Sequence, residues 1–182
     1  FSLPCGSSFL SHFACTPSHL QICLAITVIA DDESLGGFFG DRINWKSYNE
    51  GYNEIATTRK PGMVVFHRSY CGACQRLGEG AADNEEFIEL TKQFVMISCH
   101  ESGVCDNDAY AIGSLESKAS RLDGRYYPRV FFINPDNTIN YKLVSNPNNF
   151  QYRYYYRDVK QLIQRMRVFL EEMHSSEGES EL

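Results

Sequence analysis

The sequence predicts an α/β domain, a mixed central sheet with helices on both faces. Three observations carry that expectation. Short apolar runs rich in β-branched and aromatic residues recur at 63–67, 93–99 and 129–134, as strands buried on both faces do. Stretches with helical spacing alternate with them, the clearest at 159–173. Two cysteines, Cys71 and Cys74, follow the first apolar run with only Gly72 and Ala73 between them.

The elements read as follows. Trp45, Tyr48, Tyr52 and Ile55 recur at helical spacing, and Lys60-Pro61-Gly62 stops that helix. "MVVFH", 63–67, is a buried strand that leads directly into the dithiol. A helix start is expected at Asp83, where Glu86 completes a capping box, and that helix runs to about Lys92. "QFVMISC", 93–99, is a second buried strand. Residues 100–127 form a long polar stretch, with a helical turn expected around 114–121; a loop of this length inside a domain is often functional. "RVFFIN", 129–134, is a third strand. Asn134-Pro135-Asp136-Asn137 supplies turn chemistry, and "TINYKLV", 138–144, is expected to return as a hairpin partner. Val159, Leu162, Ile163, Met166, Phe169, Leu170 and Met173 share one face of the last helix. There are no internal repeats, so one domain is expected over 43–173, with 31–42 as an N-terminal extension. Strands alternating with helices and closing on a hairpin are the arrangement of a thioredoxin-type domain.

The two ends differ from this body. The first thirty residues contain no Asp, Glu, Lys or Arg and close on "LQICLAITVIA". An apolar run of about eleven residues is too short to cross a bilayer, which takes roughly 20. It matches the core of a secretory signal, with Val28-Ile29-Ala30 offering small residues for cleavage after Ala30; a buried core strand is the plainer alternative. A signal peptide over 1–30 leaves no membrane span in the mature chain and places four of the seven cysteines in an oxidising compartment. The acidic stretch 174–182 ends Glu179-Ser180-Glu181-Leu182, which resembles retention signals of the endoplasmic reticulum lumen. A retention receptor is therefore an expected partner, and the lumen the expected location. The net charge of −6 and the lack of any Lys/Arg cluster beyond a dipeptide argue against nucleic acid.

A strand ending just before Cys71 puts its sulfur at the N-terminus of the next helix, where unpaired N–H groups and the helix dipole stabilise a thiolate. The thiolate is the attacking species in disulfide exchange. Gly72 and Ala73 are small and leave that sulfur reachable, while Cys74 can resolve a mixed disulfide from one turn below. Arg68 and Arg76 are candidates to add positive field, and His67 is a candidate base. Met63, Val64, Val65 and Phe66 are all neutral, so proton transfer from Cys74 is expected to use water or a distant group. An inert bridge fits poorly in so short a ring at such a junction.

A zinc site needs a second ligand pair. Cys99 and Cys105 have five residues between them, more than common knuckles have, and adjacent Cys99 and His100 point to opposite faces of a strand. No metal is expected. Cys99 and Cys105 are candidates for a second disulfide; two separate, partly buried thiols fit equally well. Tyr127-Pro128, directly before an apolar strand, is a candidate cis peptide that offers backbone groups to an extended client chain; an ordinary trans proline opening an edge strand is the alternative.

"KPGMVVFHRSYCGACQRL", "FVMIS" and "YYPRVFFINPDN" resemble the small single-domain thioredoxin-like proteins of the endoplasmic reticulum. That group takes in thioredoxin domain-containing luminal oxidoreductases and their anterior gradient relatives, within the protein disulfide isomerase superfamily. The likeness spans roughly 43–172. It implies a thioredoxin fold and protein-disulfide oxidoreductase activity coupled to glutathione, with no bound cofactor. It also implies Cys71 and Cys74 as the redox centre, Pro128 as a cis proline, and disulfide-containing proteins as clients. Gly78 and Gly80 depart from the family and are expected to weaken the helix after the dithiol. The alternative function is a client-binding, chaperone-like module that captures partners through one cysteine with little turnover.

Overall fold

The computed structural model describes residues 34–100 and 126–179, with side chains through 175. The signal-like stretch, the expected turn at 114–121, Cys105 and the last three residues lie outside this set. After a 3-10 turn at Gly37–Phe39, the described elements run β1 (Trp45–Lys46), α1 (Tyr48–Thr58), β2 (Gly62–Phe66), α2 (Gly72–Ala82), α3 (Glu85–Thr91), β3 (Val95–Cys99), β4 (Arg129–Ile133) and α4 (Val159–Glu179).

The sheet is mixed, in the order β1-β3-β2-β4. β3 runs parallel to β1 and β2, while β4 runs antiparallel to β2 with Val64 opposite Phe131. Every residue of β2, β3 and β4 is buried, so strand alternation divides the core in two. Met63, Val65, Met96, Val130 and Phe132 join Leu77, Phe87, Leu162, Met166 and Phe169 of α2, α3 and α4 on one face. Val64, Phe66, Ile97, Phe131 and Ile133 join Tyr48 and Ile55 of α1 on the other. Helices thus cover both faces, as expected.

Several boundaries shift for local reasons. α1 starts at Tyr48, after the expected Trp45, because Ser47 caps it: Glu50 accepts from the Ser47 N–H at 3.1 Å and from its hydroxyl at 2.7 Å. Trp45 instead pairs with Met96 in the sheet and donates from Nε1 to the Gly40 carbonyl at 3.1 Å. α3 starts at Glu85, two residues beyond the expected Asp83, because Asn84 rather than Asp83 is the cap, accepting the Phe87 N–H at 2.9 Å. Within the expected extension, the described residues 34–42 pack with the domain, since Phe39 is fully buried in the core.

The expected strand over 138–144 does not form. It makes only an isolated bridge, Ile133 to Ile139. Asn140 Oδ1 then accepts from the N–H groups of Lys142 and Leu143, both at 3.1 Å, and this turn competes with the ladder. The outer edge of β4 is met instead by Tyr154, whose carbonyl accepts from Val130 N at 3.0 Å. α4 runs to Glu179, past the expected limit at 173. A helix anchored by its packed face propagates at little cost, one bond per residue.

The two glycines of α2 behave differently. A Cβ on Gly78 would lie 2.5 Å from Phe38 Cβ and 2.8 Å from its carbonyl carbon, whereas one on Gly80 meets nothing. Gly78 therefore permits the 3-10 turn to lie against α2, a reason the sequence did not disclose. Gly80→Ala is expected to stabilise the protein by about 0.5–1 kcal/mol, and Gly78→Ala to destabilise it. Thermal unfolding of the pair checks both signs.

Candidate active site

β2 ends at Phe66 and α2 begins at Gly72, so Cys71 is the residue that caps α2. Its Sγ accepts the Cys74 N–H at 3.1 Å. That bond places the sulfur at the N-terminus of α2, where unpaired N–H groups point. Cys71 and Cys74 form a disulfide with Cα atoms 5.2 Å apart. Cys71 is partly exposed, with Gly72 exposed and Ala73 half-buried beside it, while Cys74 is wholly buried. The accessible sulfur is thus the first and the shielded one the second.

The Tyr127–Pro128 peptide is cis, and the Tyr127 carbonyl oxygen lies 3.5 Å from Cys71 Sγ. Two segments 56 residues apart thereby meet at the sulfur. Arg68 joins them. Its guanidinium sits 4.2 Å over the Tyr127 ring and donates to the Tyr127 hydroxyl at 2.9 Å. It also donates to the carbonyls of His67 at 2.9 Å and Cys99 at 3.4 Å. The sequence suggested Arg68 as a source of field; its bonds go to the strand ends and the proline loop, which it fastens together. Arg76 is exposed one turn along α2, and its guanidinium lies 3.6 Å from where a Gly72 Cβ would be.

His67 does not have the character of a working base. It is fully buried, its Nε2 lies 2.8 Å from Ser98 Oγ, and its ring centroid is 4.9 Å from that of His100. Burial, then the neighbouring His100 and Arg68, lower its pKa from 6.5 to about 3, so it stays neutral and holds a proton weakly. Cys99 is buried on the α1 face of β3; its pairing with Cys105 falls outside the described residues.

The lowered pKa has a consequence for stability. Below pH 6.5 the unfolded chain protonates His67 and the folded chain does not, down to about pH 3. The unfolded state then binds more protons, so stability falls as the pH is lowered, by up to about 1.4 kcal/mol per unit in that window. His67→Gln is expected to flatten the decline. Urea midpoints taken from pH 7 to 4 check this; parallel curves for the two proteins would refute it.

Sequence reasoning missed three further tyrosines. Tyr126, Tyr152 and Tyr155 line a cleft with Tyr127, and the only hint was the density of tyrosine in "YYP" and "QYRYYYR".

A bonded Cys-x-x-Cys at the head of a helix, beside a cis proline at the end of a mixed sheet, defines a thioredoxin-type dithiol domain. A family profile described as Thioredoxin-like matches residues 44–135. The chain is 31% identical to Anterior gradient protein 3 of Xenopus tropicalis, covering 74% of this chain and 76% of that protein. It is 27% identical to Anterior gradient protein 3 of Mus musculus, covering 84% of this chain and 94% of that protein. Against Anterior gradient protein 2 homolog of Homo sapiens it is 27% identical, covering 76% and 73%. The chain belongs to the thioredoxin-like family, among the anterior gradient proteins. Membership and geometry together support a role of thiol–disulfide oxidoreductase type.

Proposed function

We propose that the protein exchanges disulfides with client proteins in the lumen of the endoplasmic reticulum and is recharged by glutathione. The observation that carries this reading is the position of Cys71 Sγ. It is partly exposed, bonded to Cys74, held by the Cys74 N–H at 3.1 Å, and 3.5 Å from the carbonyl of Tyr127.

In the reducing direction, the Cys71 thiolate attacks one sulfur of a client disulfide. A Cys71–client disulfide forms and the other client sulfur leaves as a thiolate. Cys74 then gives its proton to water and attacks the Cys71 sulfur, forming the Cys71–Cys74 bond and expelling the client's remaining thiolate. Two electrons pass from the dithiol to the client. Two glutathione thiols restore the dithiol and leave as glutathione disulfide; the same steps reversed oxidise a client. Gly72 and Ala73 leave room for the incoming chain, and Tyr127-Pro128 offers it backbone groups. The charge-free apolar stretch before Asp31 and the retention-like Glu-Ser-Glu-Leu support a luminal site of action.

The test is reduction of insulin by glutathione. Catalysis by the wild type and its loss in Cys71→Ser support the proposal. A protein that only captures clients would show no turnover in either, and that result would refute it.

A further inference from the structure

We propose that the cleft lined by Tyr126, Tyr127, Tyr152 and Tyr155 receives an aromatic side chain of the client polypeptide, close in sequence to the cysteine under attack. This rests on the oxidoreductase reading and adds a substrate class to it.

The cleft has a volume of about 200 Å³. A cavity of roughly 150 Å³ in another protein takes up benzene, so this space suits one ring. Among the described residues its walls are tyrosine rings, with no charged residue among them. Two of the hydroxyls are engaged elsewhere: Tyr126 accepts the Tyr154 N–H at 2.8 Å, and Tyr127 accepts from Arg68 at 2.9 Å. Tyr126 and Tyr152 already meet edge to face, with centroids 5.0 Å apart, a geometry a further ring can extend.

Electron-rich walls also attract cations, and the structure decides between the two guests. The Arg129 guanidinium lies 4.5 Å over the Tyr126 ring, and that of Arg68 lies 4.2 Å over the Tyr127 ring. Two guanidinium groups therefore already serve two of the four rings. Their charge repels a lysine or arginine side chain and leaves a neutral ring favoured.

Tyr127 ties the cleft to the chemistry. Its carbonyl lies 3.5 Å from Cys71 Sγ and its ring forms a wall of the cleft. Two residues of extended chain cover about 6.6 Å and point to one side. A ring two residues from the client cysteine thus reaches the cleft. The loop carrying Tyr152 is held for the purpose, with Asn149 Oδ1 accepting the N–H groups of Gln151 at 3.2 Å and Tyr152 at 3.1 Å.

Fluorescently labelled, cysteine-free peptides are to be titrated against the whole protein, with Phe, Ala or Lys placed two residues from a serine that replaces the cysteine. The Phe peptide is expected to bind about tenfold tighter than the Ala peptide, equal to about 1.4 kcal/mol, with Lys no tighter than Ala. Tyr152→Phe keeps that ratio and Tyr152→Ala brings it near one. Equal affinity for all three peptides, or a preference for Lys, overturns the cleft's assignment, whether or not Tyr152→Ala folds. A second arm uses single-cysteine peptides as mixed disulfides with thionitrobenzoate and the Cys74→Ser protein. Attack by Cys71 on the peptide sulfur joins the peptide to Cys71 and releases coloured thionitrobenzoate, fastest for the Phe peptide. No release from any peptide overturns the oxidoreductase reading, and the affinities then judge the cleft alone.

Discussion

Replacing Cys74 with serine is expected to stop the reaction at its first covalent product, a disulfide between Cys71 and the client. Cys74 is wholly buried one turn below Cys71, with Cα atoms 5.2 Å apart, so a client sulfur does not compete for its place. Well-oriented groups react intramolecularly at effective molarities of about 10⁵ M and above, and millimolar glutathione is no substitute at that scale. Turnover should fall by about 10²-fold or more, while the rate of covalent capture is retained. Non-reducing electrophoresis with mass spectrometry reads the trapped adduct. Cys71→Ser should yield no adduct, and an adduct formed at Cys74 would refute the assignment of the two sulfurs.

The second large effect is on stability. Phe132→Ala is expected to cost about 3–5 kcal/mol, a large share of the roughly 5–15 kcal/mol that holds a domain together. Phe132 is fully buried in β4, with its ring 5.1 Å from Phe169 of α4 and 6.0 Å from Phe94. It is the point at which the sheet grips the last helix, and alanine leaves a cavity that neither neighbour fills. Urea unfolding should show a lower midpoint with an unchanged slope. A loss under about 1 kcal/mol would mean that α4 closes the gap by itself.

Much of this architecture was written locally. Unbroken apolar runs marked β2, β3 and β4, because strands buried on both faces need no polar alternation. The stripe from Val159 to Met173 marked α4, and the dithiol behind β2 marked the site. What escaped involved choices between partners. Trp45 fits a helical pattern with Tyr48 and Tyr52, yet Ser47 caps the helix after it and Met96 takes it into the sheet. The stretch 138–144 has strand composition, yet Asn140 turns its own backbone away after one bridge.

The sequence by itself determined the chemistry: two cysteines in a short ring at the head of a helix, and an aromatic and aliphatic content that buries one mixed sheet. Tertiary structure alone decided the surroundings of that chemistry. It set His67 among buried neighbours where it stays neutral, bound Arg68 to Tyr127 across 59 residues, and gathered four tyrosines from two segments into one cleft. The physical reason is range. Helical and strand periodicities act over a few residues and leave their mark in the order of the side chains, whereas a guanidinium over a ring needs only that the fold bring the two together.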